Sequence, residues 1–197
     1  ANSLLAAPGI DTLTGKRDTA VIAMLLCAGI REAELCGLNV DDLRQRFGGA
    51  LALRVREGKG AKQRLIPYGD LDWCLAYVDA WMQEAGINEG AVFRGLYKAA
   101  PGKAPKLRDR LSVRAVQDIL DKYPVMIDGR KVTIDPHDAR RTYARRLYDT
   151  GVELLAIQQN LGHADLKTTQ GYIGALSPDA RKPKAVYTPP HWKELKR

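Results

Sequence analysis

Cysteine is scarce in this sequence, and long apolar runs are missing altogether. The 197 residues include only Cys27, Cys36 and Cys74, an odd number without a Cys-x-x-Cys pair. That excludes a disulfide framework and offers no zinc-site spacing. Cys27 and Cys74 lie in apolar helical stretches and read as core thiols of a reducing compartment. No apolar run approaches the ~20 residues that cross a bilayer, and no signal-peptide pattern opens the chain. The expectation is a cytoplasmic, nucleoid-associated protein with no membrane partner. With 45% hydrophobic and 27% charged residues, the composition is that of a globular chain rather than a disordered one. Its length allows one domain with a sizeable core, or at most two small ones.

Negative charge is also in short supply. Lys and Arg number 31 against 23 Asp and Glu, leaving a net charge of +8 and a pI near 9.5. Such a field favours a polyanionic partner, because cations that neutralise phosphates release condensed counterions. Charge alone does not name that partner.

The apolar pattern divides the chain into segments. Residues 1–13 read as an extended lead-in. Thr14 is placed to cap a helix over 15–28, where Val21, Ile22, Leu25 and Leu26 recur at helical spacing until Gly29 breaks it. A short helix over 31–38 follows. Alternation through Leu51, Leu53 and Val55 predicts a half-buried strand, with 58–62 as a flexible turn, 63–66 as the returning partner and 40–46 as a third strand. A helix over 70–85 stops at Gly86, 91–93 reads as a short buried strand, and 99–110 as a basic loop. Ser112 caps a helix reaching Lys122, and Asp128-Gly129 marks a tight turn. Helices then run over 137–149 and 152–161, and a last short one, starting at Asp165 or Thr168, carries Tyr172. Residues 177–197, proline-rich and charged, read as a tail. The fold class is α+β, mainly α-helical, with a small three-stranded antiparallel sheet.

Several residue groups carry chemistry. Arg31 beside Glu34 is either a surface ion pair or a guanidinium fork aimed at a phosphate, with Glu34 supporting it from behind. His137 and Arg140 share one face at a helix start, where backbone N–H groups also favour an anion. Lys59, on a glycine-flanked turn with Lys62 and Arg64 following, is either a solvated hairpin tip, a mobile proton donor or a contact to a DNA groove. His163 follows Gly162 at a helix break. No third ligand accompanies His163 and His137, so no metal site is expected. Tyr172 is either a packing aromatic or a nucleophile, and a phenol of pKa near ~10 needs surrounding positive charge to attack at neutral pH.

In order, an arginine, a hairpin lysine, His-x-x-Arg, Leu-Gly-His and a tyrosine nine residues after that histidine resemble the catalytic domain of the tyrosine recombinase (phage integrase) family. The resemblance runs from about residue 14 to 174. Stretch 29–38 is similar to that family's first arginine box, 58–64 to its lysine hairpin, and 137–143 with 161–172 to its second box. Ala139 stands where members commonly carry Leu. The resemblance implies the helical DNA breaking-rejoining fold, with 14–176 as the catalytic domain, 1–13 as a linker and 177–197 as a tail that docks on a neighbouring protomer. Members usually carry an N-terminal DNA-gripping domain as well, so the expectation is a fragment of a longer integrase, with an unusually short member as the alternative.

The implied activity is site-specific recombination of a mobile element through a 3′-phosphotyrosyl intermediate, without metal or cofactor. Tyr172 is then the nucleophile, with Arg31, Lys59, His137, Arg140 and His163 catalytic, and Lys62, Arg64 and Arg141 lying against DNA. Implied partners are double-stranded DNA, further copies in a tetrameric synapse, and an accessory directionality protein. Two other readings stay open: a non-catalytic helix-turn-helix protein built on 152–173, and a topoisomerase-like or telomere-resolving enzyme of the same chemistry.

Overall fold

In the computed structural model, residues 1–56, 63–97 and 105–174 are described. The chain starts not with an extended lead-in but with a short helix, α1 (Asn2–Ala6), which seats Leu4 in the core. The main helix α2 (Leu13–Ala28) begins two residues earlier than its spacing suggested, because Thr12 rather than Thr14 is the cap: its hydroxyl accepts from Gly15 N at 3.0 Å. From Thr19 to Ala28 every residue of α2 is buried. A helix this apolar all round belongs in the centre of a domain, and α2 packs against α3 (Glu32–Gly37), α4 (Cys74–Ala85), α5 (Val113–Asp121) and α6 (Pro136–Asp149).

Gly29 ends α2 in the left-handed conformation at φ +57°. A Cβ there would lie 2.2 Å from a ring carbon of Tyr143, so helix α6 can approach this closely only because residue 29 has no side chain. Helix α3 (Glu32–Gly37) follows at once. The stretch expected as a third strand is mostly something else. Val40–Asp42 is a 3₁₀ turn whose Asp42 carboxylate accepts from Asn39 N, and only Gln45–Phe47 (β1) is extended. Asp42, buried, also accepts from Arg54 Nε at 2.6 Å and Arg56 Nε at 2.7 Å. This local side-chain capping beats strand propensity.

Strands β1, β2 (Ala50–Val55) and β3 (Arg64–Pro67) form the expected antiparallel sheet in that order, with Leu53 opposite Ile66 and Val55 opposite Arg64. After a 3₁₀ turn at Gly69–Leu71, α4 (Cys74–Ala85) buries Val78 and Trp81, and the indole N–H of Trp81 donates to Val92 O at 2.9 Å. Residues 91–93 contribute only an isolated bridge between Asn39 and Ala91. The strand β4 (Arg94–Leu96) comes next and pairs with β5 (Leu107–Arg110), inside the segment read as a loop. Charged side chains along β5 hide its strand character.

Helix α5 (Val113–Asp121) starts at the expected Ser112 cap. The Asp128-Gly129 turn joins a hairpin, β6 (Val125–Ile127) and β7 (Arg130–Val132), with φ of +49° and +75° at its two central residues, as a type I′ turn requires. Helix α6 (Pro136–Asp149) has Asp135 as its cap and Pro136 in its first turn, and buries Ala139 and Tyr143. Helices α7 (Leu154–Leu161) and α8 (Leu166–Ile173) close the described chain. No helix among the described residues is long and apolar enough to cross a membrane. All three cysteines are buried and unpaired.

Candidate active site

Three chain segments meet beside the end of α2. The first is the start of α3. Arg31 N donates to Glu34 Oε2 at 2.8 Å and Arg31 Nη1 to Glu34 Oε1 at 2.9 Å, so the helix start and the guanidinium are held by one carboxylate. The Arg31 side chain keeps 42% of its surface exposed, against 10% for Glu34. This leaves the guanidinium open to a ligand while its support is covered.

Sheet strand β3 supplies the second contact to Glu34. Arg64 donates to both carboxylate oxygens, at 2.9 and 2.7 Å, and through Nε to Asn160 O at 3.0 Å. The Arg64 side chain, 11% exposed, turns inward and fastens α3 to the end of α7. Gly162 makes room for it: at φ +64°, a Cβ on this residue would stand 3.0 Å from Arg64 Nη1.

Helix α6 brings the third arginine. Arg140, buried, donates to Gly29 O and to Leu161 O, with Nη1 also 3.9 Å from Glu34 Oε2. Glu34 thus stands among three guanidinium groups. Burial alone would raise its pKa, but the hydrogen bonds from Arg64 and the Arg31 backbone and the nearby positive charge outweigh this and hold it below the usual value. Burial, together with the charge of Arg31, brings Arg140 down to about 10, which leaves it a cation at neutral pH.

The Gly162 turn positions His163. Its backbone N–H donates to Gln158 O, the Gln158 amide donates back to His163 O at 3.0 Å, and its ring Nδ1 lies 3.0 Å from the hydroxyl of buried Thr169. Burial and the charges of Arg140, Arg31 and Arg64 depress its pKa to about 4, so the imidazole is neutral at physiological pH. Tyr172, one helix further, packs edge-on against this ring with centroids 4.9 Å apart. Tyr172 Oη lies 3.4 Å from Nδ1 of exposed His137, and the Arg141 guanidinium sits 5.7 Å from the Tyr172 ring centroid.

The structure therefore gathers Arg31, Glu34, Arg64, His137, Arg140, Arg141, His163 and Tyr172 in one neighbourhood. Lys59 and Lys62 fall outside the described residues, between β2 and β3 in the sequence. Asn160, Gln158 and Thr169 were not singled out by sequence reasoning. Each acts through a backbone carbonyl or a neutral hydrogen bond, which leaves no charge pattern to read. No group of three or more His, Cys, Asp or Glu among the described residues is placed to hold a metal ion. Chemically, a neutral imidazole and fixed cations beside a phenol suit an oxyanion that gains charge during attack by an oxygen nucleophile.

Comparison with known proteins agrees with this geometry. The chain is 36% identical over 173 residues to tyrosine recombinase XerC of Thermodesulfovibrio yellowstonii, covering 86% of this chain and 54% of that one. It is 34% identical over 173 residues to tyrosine recombinase XerA of Thermococcus kodakarensis, covering 86% and 55%. The chain thus spans little more than half the length of these relatives. Among solved structures, XerA recombinase superposes with a TM-score of 0.63 at 26% identity, over 91% of this chain and 59% of the other. A lambda integrase dimer bound to a COC′ core site shares the fold, with a TM-score of 0.58 at 18% identity over 94% and 60%. Residues 1–177 match the phage integrase family, and the chain belongs to that family of tyrosine recombinases.

Proposed function

We propose that this chain is the catalytic part of a site-specific DNA recombinase, within bounds of about 14–176, acting on a mobile element. One observation carries the reading: the Glu34-centred arginine cluster and the phenol of Tyr172 are bridged by His163, whose ring touches Tyr172 and whose turn begins at the carbonyl bound by Arg140. A scissile phosphate seated against Arg31, Arg140 and His163 comes within range of Tyr172.

In this reading the Tyr172 oxygen attacks phosphorus in line. The Tyr172 Oη–P bond forms, the P–O5′ bond breaks, and a 3′-phosphotyrosyl link and a 5′-hydroxyl result. His137, beside the phenol, receives its proton, and Lys59 protonates the leaving 5′-oxygen. Arg31, Arg140 and His163 stabilise the charge gathering on the non-bridging oxygens, at roughly 3–4 kcal/mol for each preorganised donor. The covalent link conserves the phosphodiester energy, so a 5′-hydroxyl from another strand reverses the step onto a new partner.

Double-stranded DNA is the proposed substrate. Structures sharing the fold include XerH recombinase bound to its difH substrate, and the chain's net charge of +8 suits a polyanion. Lys62 and Arg141 are assigned to backbone contacts. A tetrameric synapse, an accessory directionality protein, docking of 177–197 on a neighbouring protomer and a nucleoid location belong to the same proposal. A helix-turn-helix protein without catalysis leaves the Arg31–Glu34–Arg64 assembly without a purpose. Relaxation of supercoils without strand exchange would mark the topoisomerase-like alternative.

The test is a nicked suicide substrate. The native chain is expected to become covalently joined to its 3′ end, and Tyr172→Phe to bind the same DNA with no covalent product on a denaturing gel. Persistent attachment in that variant would remove Tyr172 as nucleophile.

A further inference from the structure

We propose that Arg145 is a positioning residue for the tyrosine, acting through the backbone of α8; the inference rests on the reading of Tyr172 as nucleophile. Helix α8 has eight residues, and its far end is anchored by buried Ile173. At its start Asp165 caps the N–H of Lys167 at 2.8 Å. At its end the carbonyl of Ile173, the residue after Tyr172, has no partner within the helix, because the last carbonyls of any helix are left over. Arg145 Nη1 donates to that oxygen at 2.8 Å. The Nε of the same guanidinium sits 2.9 and 3.1 Å from the two oxygens of Asp149, one turn further along α6. A fixed fork therefore runs from Asp149 through Arg145 to the end of the tyrosine helix.

The side-chain contact from Tyr172 Oη to His137 is long, at 3.4 Å. The place of the phenol therefore depends on where the α8 backbone is held as well as on its packing against His163. A positive charge at a helix C-terminus is also favoured by the helix dipole.

The same device recurs at the other short helices around the site. Arg110 donates to Cys36 O and Leu38 O at the end of α3, and to Asn39 Oδ1. Arg64 and Arg140 hold Asn160 O and Leu161 O at the end of α7. Among these clamps Arg145 is the one that grips the nucleophile's own helix. Its side chain is 44% exposed, so its removal is not expected to unfold the chain.

Arg145→Ala, Arg145→Lys and Asp149→Asn are compared with the native chain in two measurements. The first is single-turnover linkage to the suicide substrate over a range of DNA concentrations. The second is amide hydrogen exchange of α8 in the free protein. Arg145→Ala is expected to slow linkage at saturating DNA about tenfold, to leave the half-saturating DNA concentration unchanged, and to speed exchange in α8 but not in α7. Asp149→Asn should show a smaller loss of the same kind. Arg145→Lys keeps the charge but not the fork and should not recover the native rate. Full recovery by lysine would assign the effect to charge against DNA and overturn the proposal, as would native rate and exchange in Arg145→Ala. Failure of the native chain itself to link DNA would remove the nucleophile reading and this inference with it. Faster α8 exchange in Arg145→Ala would then still report a clamp without a catalytic consequence.

Discussion

The two sides of the candidate site are built by opposite rules. On the inner side, Glu34, Arg64 and Arg140 are covered, and each is held by at least two partners on different elements. On the outer side, Tyr172 and His137 meet at 3.4 Å at the surface, and Arg141 covers the ring from 5.7 Å. In the proposed reaction the inner side is a fixed frame of positive charge, which costs no reorganisation when negative charge appears beside it. The outer side leaves the proposed nucleophile on an eight-residue helix near the surface. Changes inside should therefore lower stability and chemistry together, whereas changes outside should affect chiefly chemistry.

The largest effect should come from Arg140→Met. It strands the carbonyls of Gly29 and Leu161 and removes one cation from Glu34, a loss of about 3–5 kcal/mol by analogy with broken buried ion pairs, measurable by urea unfolding. A loss under 1 kcal/mol would erase the distinction between the two sides. Gly162→Ala should cost less, about 1–2 kcal/mol for a side chain in the left-handed region, with further displacement of Arg64. Asp165→Ala, which uncaps the nucleophile helix, should lower stability by only about 1 kcal/mol and show mainly as slower DNA linkage.

The pH response sharpens the same contrast more gently. The folded His163 has a pKa of about 4 against an ordinary 6.5. The unfolded chain thus binds this proton at higher pH than the folded one. The contribution of His163 is fully present above about pH 6.5 and declines as pH falls towards 4. Glu34, with its depressed pKa, loses its contribution in the same direction at lower pH. His163→Gln should flatten the fall of the urea midpoint between pH 6.5 and 4; parallel curves for the two proteins would refute the burial argument.

Much of the helical frame was legible in the residues. Ser112 as a cap and Gly86 and Gly162 as stops stand where the pattern put them, because caps and left-handed glycines are local physics. The failures have local causes too. Asp42 gathers backbone and arginine donors and turns 40–42 into a 3₁₀ turn, and the charges of Arg108, Asp109 and Arg110 mask the strand β5. The inward contacts of Arg64 were hidden for a different reason. On a strand next to a lysine-rich turn it reads as a surface cation, and nothing within β3 reveals that Glu34 and the end of α7 converge on it.

By itself, the sequence determined the basic charge, the buried central helix and the order of the Arg, His and Tyr motifs, since each depends on residues close in the chain. Only the tertiary structure decided which cations face a ligand and which serve as fasteners. That choice depends on where the leftover carbonyls at the ends of α2, α3, α7 and α8 come to lie, and those ends meet the arginines only after the chain has packed.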